Sequence, residues 1–147
     1  DAIDKIKSLP EEIRKESNFH FIGHLQSNKA EKVVEYFNYI QSVDSLKLAR
    51  VISQAACSLN KRENILLQVN LAEEEQKFGY SIDELRKDLP EILKLENLNI
   101  VGLMCMAPLF AEEEVLRKVF SRLRKLRDEL EKDFGIKLNS LRAILKN

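Results

Sequence analysis

Several residues whose side chains could bind a ligand or take part in catalysis lie close together in the stretch 19–29, FHFIGHLQSNK. It begins as an aromatic and β-branched run, ends that run at Gly23 and opens a helical pattern near Ser27. In α/β proteins, a buried strand that turns into a helix through a polar loop is where ligands and catalytic groups are placed. From these residues alone, a hydrogen-bonded core histidine is the commoner explanation of His20, with a contact to a ligand as the alternative.

A second candidate, Asn70, lies near the carboxyl end of another strand-like run, ILLQVNL. A buried amide at that position needs hydrogen-bond partners, which favours a role in binding a ligand or anchoring a loop. Ser27 and Asn28 precede a helical pattern, so helix capping explains them as well as ligand binding does.

Other kinds of chemistry have little support in the sequence. His20 and His24 stand four residues apart without the H-E-x-x-H pattern of a zinc hydrolase. Cys57 falls in a helical pattern and has no signature of a nucleophile. We therefore predict neither a metal site nor a catalytic residue.

The composition of the 147-residue chain is that of one globular domain, with 44% hydrophobic and 33% charged residues. Its 24 basic and 24 acidic residues balance and form no long block of one sign, which disfavours a nucleic-acid or anionic-membrane surface. No apolar run approaches the roughly 20 residues of a membrane span.

Two isolated cysteines fit a reducing cytoplasm. The sequence starts without a methionine, which suggests a cut within a longer protein.

Strands and helices are predicted to alternate along the chain. Strand patterns cover residues 19–23, 39–43, 65–70 and 99–104. Helical patterns cover residues 2–9, 33–37, 45–56, 81–93 and 111–134, with a further helix start at 10–12. Pro108 is expected to break the chain before the last helix. Such alternation predicts parallel strands and an α/β fold.

Two α/β architectures compete for this pattern. A doubly wound sheet suits the length, because a closed eight-stranded barrel usually takes about 250 residues. Against a nucleotide-binding open sheet, the four glycines stand alone and form neither a G-x-G-x-x-G loop nor a Walker motif.

Three groups of residues resemble landmarks of one known family. The stretch 19–29, residues 68–70 with Glu74 and 77–80 after them, and residues 102–104 with Pro108 downstream are similar, in this order, to the pyridoxal-phosphate homeostasis proteins. These proteins are single-barrel relatives of the N-terminal domain of alanine racemase. The resemblance extends over roughly residues 1–140 and implies a partial (β/α)8 barrel of the TIM type, with about four consecutive βα units and parallel strands.

The resemblance also implies a cofactor. The family holds pyridoxal 5′-phosphate (PLP) at the carboxyl ends of the barrel strands and has no firmly assigned catalytic activity. It therefore predicts PLP binding and homeostasis without committed catalysis. The predicted cofactor-binding residues are His20, Asn70, Lys77 and Met104. For Lys77 a solvated surface position is the alternative, and for Met104 simple packing.

The chain departs from the family pattern in two places. The lysine that bonds covalently to PLP lies upstream of anything that matches residue 1. The phosphate cradle, Ser-Met-Gly-Met-Ser and a later glycine-rich loop, is replaced after Ser140 by LRAILKN. The chain is thus expected to be a single domain, 1–147, that supplies the central part of the barrel. By itself it should bind PLP weakly and at no specific lysine.

Two other functional hypotheses remain open. The chain could be a truncated or frameshifted fragment that binds no cofactor and acts as an interaction protein. A racemase-like PLP enzyme is a weaker alternative, since racemases need acid and base groups on opposite faces of the cofactor. Because half a barrel leaves open sheet edges and apolar surface, we also expect self-association.

Overall fold

The computed structural model describes residues 1–71 and 78–146, and it consists of a parallel sheet with helices between the strands. The helices are α1 (Ala2–Lys7), α2 (Glu11–Glu16), α3 (Ala30–Tyr36), α4 (Leu46–Ser58), α5 (Ile82–Leu93) and α6 (Glu113–Phe134), with a 3-10 turn at Ser27–Lys29. The strands are β1 (His20–Phe21), β2 (Tyr39–Val43), β3 (Glu63–Gln68), β4 (Leu98–Pro108) and β5 (Ser140–Lys146).

The five strands lie side by side in chain order, and each pairs in parallel with the next. Together they form a curled half-barrel with helices on its outer side. Chain order with parallel pairing is the topology of consecutive βα units. The predicted α/β class and partial TIM-type barrel are therefore confirmed.

The four predicted strands are present, β2 with the predicted ends and the other three with shifted ends, and the structure adds a fifth that was not predicted. β1 is shorter than predicted, and β4 runs on to Pro108, which closes the strand at its last pair with β5. β5 was not predicted because its alternation is weak: Leu141, Ala143 and Leu145 alternate with Arg142 and Lys146, but Ile144 interrupts the pattern. Its seven residues are held by continuous pairing with residues 102–108 of β4.

Helix ends follow local rules that the sequence displays. Ser45 accepts a hydrogen bond from the Leu48 amide at 3.1 Å, and Ser81 accepts one from the Glu84 amide at 3.2 Å. α6 ends at Gly135, whose φ of 64° is the left-handed conformation of a helix C-cap. These caps set where each helix begins or ends relative to the sheet.

The hydrophobic core lies between the sheet and the helices. α4 packs its apolar stripe, including the fully buried Ala49, Ile52 and Ala56, against the sheet. From the strands, Ile65, Leu67, Leu103 and Cys105 point into this layer. Within the described ranges, no helix combines the length and apolarity needed to cross a membrane.

Candidate functional site

The other face of the sheet, the concave side, carries a different set of side chains. Leu66 and Met104 are buried but lie outside the core against the helices, whereas their sequence neighbours belong to it. Since successive strand residues point to opposite faces, the strand register identifies the rest of this surface. We call it the inner face, and it comprises His20, Tyr39, Gln41, Leu66, Gln68, Met104 and Arg142.

His20 is held on the inner face by two residues of β2. Its ring stacks on Tyr39 with centroids 4.3 Å apart and planes within 3°. The Gln41 side-chain amide and His20 Nδ1 form a hydrogen bond at 2.8 Å, in which the amide nitrogen donates when the ring proton is on Nε2. The stacking and this hydrogen bond together fix the orientation of the imidazole.

Gln41 is 3% exposed, and its amide oxygen Oε1 has no hydrogen-bond partner among the described residues. The alternative is a side-chain amide rotated by 180°, in which Gln41 Oε1 accepts from a proton on His20 Nδ1. The amide nitrogen of Gln41 is then the atom without a partner. In either orientation a buried polar atom beside His20 lacks a partner, which costs about 1–3 kcal/mol unless something binds it. A polar ligand on the inner face would satisfy this atom.

Asn70 lies just beyond β3, and its side-chain oxygen Oδ1 is also buried without a partner in the described part of the chain. Its backbone amide donates to the Tyr80 carbonyl at 2.8 Å, and the Tyr80 amide donates to the Gln68 carbonyl at 2.7 Å. The Asn70 backbone therefore pairs residue 70 with Tyr80, and its side-chain oxygen is left with an unsatisfied hydrogen-bonding capacity among the described residues.

Loops at the carboxyl ends of three strands are tied together beside these residues. His24, after β1, stacks on Phe78, after β3, with ring centroids 4.1 Å apart. The Gly79 amide donates to Asp44, after β2, at 3.0 Å. Gly79 has a φ of 108°, which a side chain rarely tolerates. The carboxyl ends of the strands thus form one edge, as in barrel proteins that bind ligands there.

Burial lowers the pKa of His20, and the positive charge of Arg142 lowers it further. Arg142 lies on β5, in register with Met104 on β4. The curl of the sheet therefore brings the last strand within electrostatic range of the first. His20 is accordingly held in its neutral form, which can donate from Nε2.

We expect Arg142→Gln to raise the pKa of His20, because it removes a cation that disfavours the imidazolium. The pKa should stay below the ordinary value of 6.5, since burial acts in the same direction as Arg142 and remains. An NMR titration of the His20 ring measures this. Arg124→Gln, an exposed change on α6, should leave the titration unaltered. Equal His20 titrations in wild type and Arg142→Gln would contradict the placement of Arg142.

The predicted site residues are only partly brought together. His20 and Met104 share the inner face, and Asn70 lies at the end of β3. Lys77 lies outside the described residues. Ser27 and Asn28 form the 3-10 turn, which has no side-chain cap.

Gln41 and Arg142 were not predicted from the sequence as site residues. Gln41 is a polar residue in a strand whose neighbours are buried, a signal that was present in the sequence. Arg142 gave no such signal, because β5 itself was not predicted. In the described ranges, no cluster of three or more His, Cys, Asp or Glu side chains is placed to hold a metal.

Comparison with known proteins decides the family. The family model for the alanine racemase N-terminal domain matches residues 7–143. The chain belongs to this family. The chain is 40% identical over 141 residues to the pyridoxal phosphate homeostasis protein of Synechocystis. The aligned residues cover 96% of this chain and 64% of that protein. It is 35% identical to the protein of the same name from Aquifex aeolicus, covering 84% and 54%.

A solved structure of the family also resembles this chain. PipY of Synechococcus elongatus, determined with PLP bound, superposes with a TM-score of 0.81 at 33% identity, covering 94% of this chain and 62% of that one. The chain thus spans less than two thirds of each of these three relatives.

Proposed function

We propose that this chain is the central part of a PLP-binding protein that holds and passes on the cofactor without committed turnover. The observation that carries the proposal is the buried, unpartnered amide atom of Gln41 beside the fixed ring of His20. This atom lies on the concave face of the half-barrel. Proteins similar in sequence to this chain are named for pyridoxal phosphate homeostasis. Two cysteines without a disulfide, Cys57 and Cys105, support a cytoplasmic location.

In this proposal the residues of the inner face contact the cofactor ring and its polar substituents. His20 donates from Nε2, Gln41 and Asn70 supply amide groups, and Met104 packs against the ring. Lys77 is proposed as a further contact to the phenolic oxygen. PLP supplies an electrophilic aldehyde when bound, and the chain's own residues orient it and satisfy its polar atoms.

The affinity of this chain for PLP follows from the prediction that it supplies only the central part of the barrel. We propose that the covalent lysine and the phosphate cradle belong to parts of the barrel that these residues do not supply. Three missing charge-assisted hydrogen bonds of about 1.5–3 kcal/mol each weaken binding by about three decades or more, at about 1.4 kcal/mol per decade. The 147-residue chain should therefore bind PLP weakly and reversibly.

A titration of the chain with PLP, followed through the NMR resonances of His20, tests the proposal. We expect saturable shifts at high cofactor concentration, and weaker binding in Gln41→Leu because the buried amide contact is lost. Gln54→Leu, an exposed change of the same type on α4, is the matched control and should bind as the wild type does. Absence of any shift at His20, or equal loss in both variants, would contradict a site on the inner face.

Borohydride reduction with PLP, followed by peptide mass mapping, tests the reversible nature of the binding. We expect substoichiometric labelling spread over several lysines. Stoichiometric labelling at one lysine, with Lys77 the first to inspect, would contradict the proposal that the covalent group lies elsewhere.

A further inference from the structure

Asp44 is fixed in place by the residues on both sides of it. It follows β2 directly, and Ser45 after it accepts the hydrogen bond from the Leu48 amide that begins α4. On its other side, Val43 pairs with Leu67 of β3. Because a strand end and a helix cap hold both flanking residues, the Asp44 carboxylate is presented from a well-defined position in the fold.

The Asp44 carboxylate reaches the segment where the chain returns after β3. Its oxygen Oδ2 accepts a hydrogen bond from the Gly79 amide at 3.0 Å, across 35 residues of sequence. A carboxylate that accepts from a backbone amide makes a charge-assisted hydrogen bond, which is stronger than a bond between two neutral groups. Phe78, the residue before Gly79, stacks on His24. The return segment is therefore tied to the loops after β2 and β1.

Gly79 in turn packs directly against Asn70. A Cβ atom at Gly79 would lie 3.1 Å from the Asn70 amide nitrogen and 3.3 Å from the Asn70 Cβ atom. The Asn70 amide donates to the Tyr80 carbonyl at 2.8 Å, and the Tyr80 hydroxyl donates to Asp88 on α5 at 2.8 Å. Asn70 thus lies against a return segment that Asp44 holds at residue 79 and α5 holds at residue 80.

We propose that Asp44 is a positioning residue that orients the side-chain amide of Asn70 toward the cofactor. The inference rests on the proposed function, in which Asn70 supplies an amide group to PLP. The Asn70 oxygen Oδ1 is buried without a partner among the described residues, so any rotation of the side chain that brought it to a donor would lower its free energy. The close contact of Gly79 restricts that rotation, and the Asp44 hydrogen bond keeps Gly79 in contact.

The charge of Asp44 does not itself favour the cofactor. The phosphate of PLP is an anion, and two negative charges repel each other. If Asp44 acted through its charge, removing the charge would strengthen binding. If Asp44 acts by holding Gly79, removing its acceptor oxygen weakens binding. The two effects have opposite signs, so two substitutions separate them.

Asp44→Asn and Asp44→Leu are these two substitutions. The asparagine keeps an oxygen that accepts from the Gly79 amide, and it should bind PLP about as tightly as the wild type. The leucine has no acceptor and should bind about tenfold more weakly, which is the scale of one hydrogen bond. Titration of the full chain with PLP, followed through the NMR resonances of His20, measures both affinities. Asp128→Leu, at an exposed aspartate on α6, is the control and should bind as the wild type does.

A double substitution shows whether Asp44 acts through Asn70. Asn70→Ala alone should weaken PLP binding, and Asp44→Leu should then add nothing, because the amide that it would misplace is gone. In a Gln41→Leu background, by contrast, Asp44→Leu should still weaken binding about tenfold, since the position of Asn70 does not depend on Gln41. A general weakening of the fold would lower the affinity in both backgrounds alike.

The ligand-free chain gives a second readout that does not depend on PLP. Three-bond couplings to the Asn70 Cβ protons report the χ1 rotamer of Asn70, and hydrogen exchange of the Gly79 amide reports its bond to Asp44. Wild type and Asp44→Asn should show one Asn70 rotamer and a protected Gly79 amide. Asp44→Leu should show averaged couplings and faster exchange.

Three results would overturn the positioning role: equal affinities of Asp44→Asn and Asp44→Leu for PLP, an unchanged Asn70 rotamer in Asp44→Leu, or a loss from Asp44→Leu that persists in the Asn70→Ala background. These results leave the proposed contact of Asn70 with PLP intact. An Asn70→Ala variant that binds PLP as tightly as the wild type overturns that contact itself, and the positioning role with it. Urea denaturation of each variant confirms that folded chains are compared.

Discussion

Replacing Gly102 by alanine is expected to disrupt the pairing of β4 with β5. Gly102 lies opposite Ser140, and a Cβ atom at Gly102 would overlap the Ser140 carbonyl oxygen and lie 2.6 Å from its carbonyl carbon. The obstruction is backbone of a paired strand, so it cannot rotate away as a side chain can. We expect a loss of about 3 kcal/mol or more, at the upper end of overpacking effects.

Urea denaturation of Gly102→Ala against wild type measures this loss. Gly23→Ala is the matched control, because nothing lies within 4 Å of its Cβ position and its φ is not positive. The control should keep a denaturation midpoint close to that of the wild type. A Gly102→Ala variant with an unchanged midpoint would show that β5 does not pair with β4 in this register.

Glu63→Gln is expected to stabilise the protein increasingly as the pH rises. Glu63 is fully buried at the start of β3, and burial raises its pKa from 4.5 to about 7. Lys61, whose Nζ atom lies 3.3 Å from Glu63 Oε1, opposes this shift in pKa, but the effect of burial is larger. Lys61 Nζ also donates to the Val34 carbonyl at 2.7 Å. The neutral acid is therefore the form that suits the buried position.

The direction of the pH dependence follows from proton binding. Between about pH 4.5 and 7, folded Glu63 holds a proton that the unfolded chain has released, so the contribution of Glu63 to stability falls as the pH rises through this range. The full contribution is about 3 kcal/mol, from about 1.4 kcal/mol per pKa unit. Glutamine keeps the neutral amide at every pH and loses nothing.

Urea denaturation at about pH 4.5, 6 and 8 compares the two proteins across this window. The difference in free energy of unfolding between Glu63→Gln and wild type should grow with pH and level off above about 7. Glu96→Gln, at an exposed glutamate, serves as the control and should show no such growth. A difference that is the same at all three pH values would contradict a protonated Glu63.

Much of the fold could be predicted from local pattern. The run at 65–71, apolar except for Gln68 and Asn70, predicted a strand, and the helical patterns at 45–56 and 81–93 predicted the helices α4 and α5. Alternation of these elements predicted parallel pairing. Each of these signals arises within about a dozen residues of chain.

Local sequence patterns did not predict the strand β5 and predicted only part of the candidate site. β5 pairs with seven residues of β4, whereas its own side chains alternate only weakly because Ile144 takes a position between the charged Arg142 and Lys146. Lys77, proposed from family resemblance, lies outside the described residues, so its predicted role as a PLP contact stays a prediction.

The sequence by itself determined the α/β class, the alternation of the first four strands with helices, the presence of His20 in the first strand and that of Asn70 near the carboxyl end of the third. Only the tertiary structure decided which polar groups meet. Gln41 reaches His20 across 21 residues, and Arg142 acts on the same ring from the opposite end of the sheet. These contacts depend on the register and curl of the sheet, which backbone pairing between distant strands sets and which no local pattern of side chains encodes.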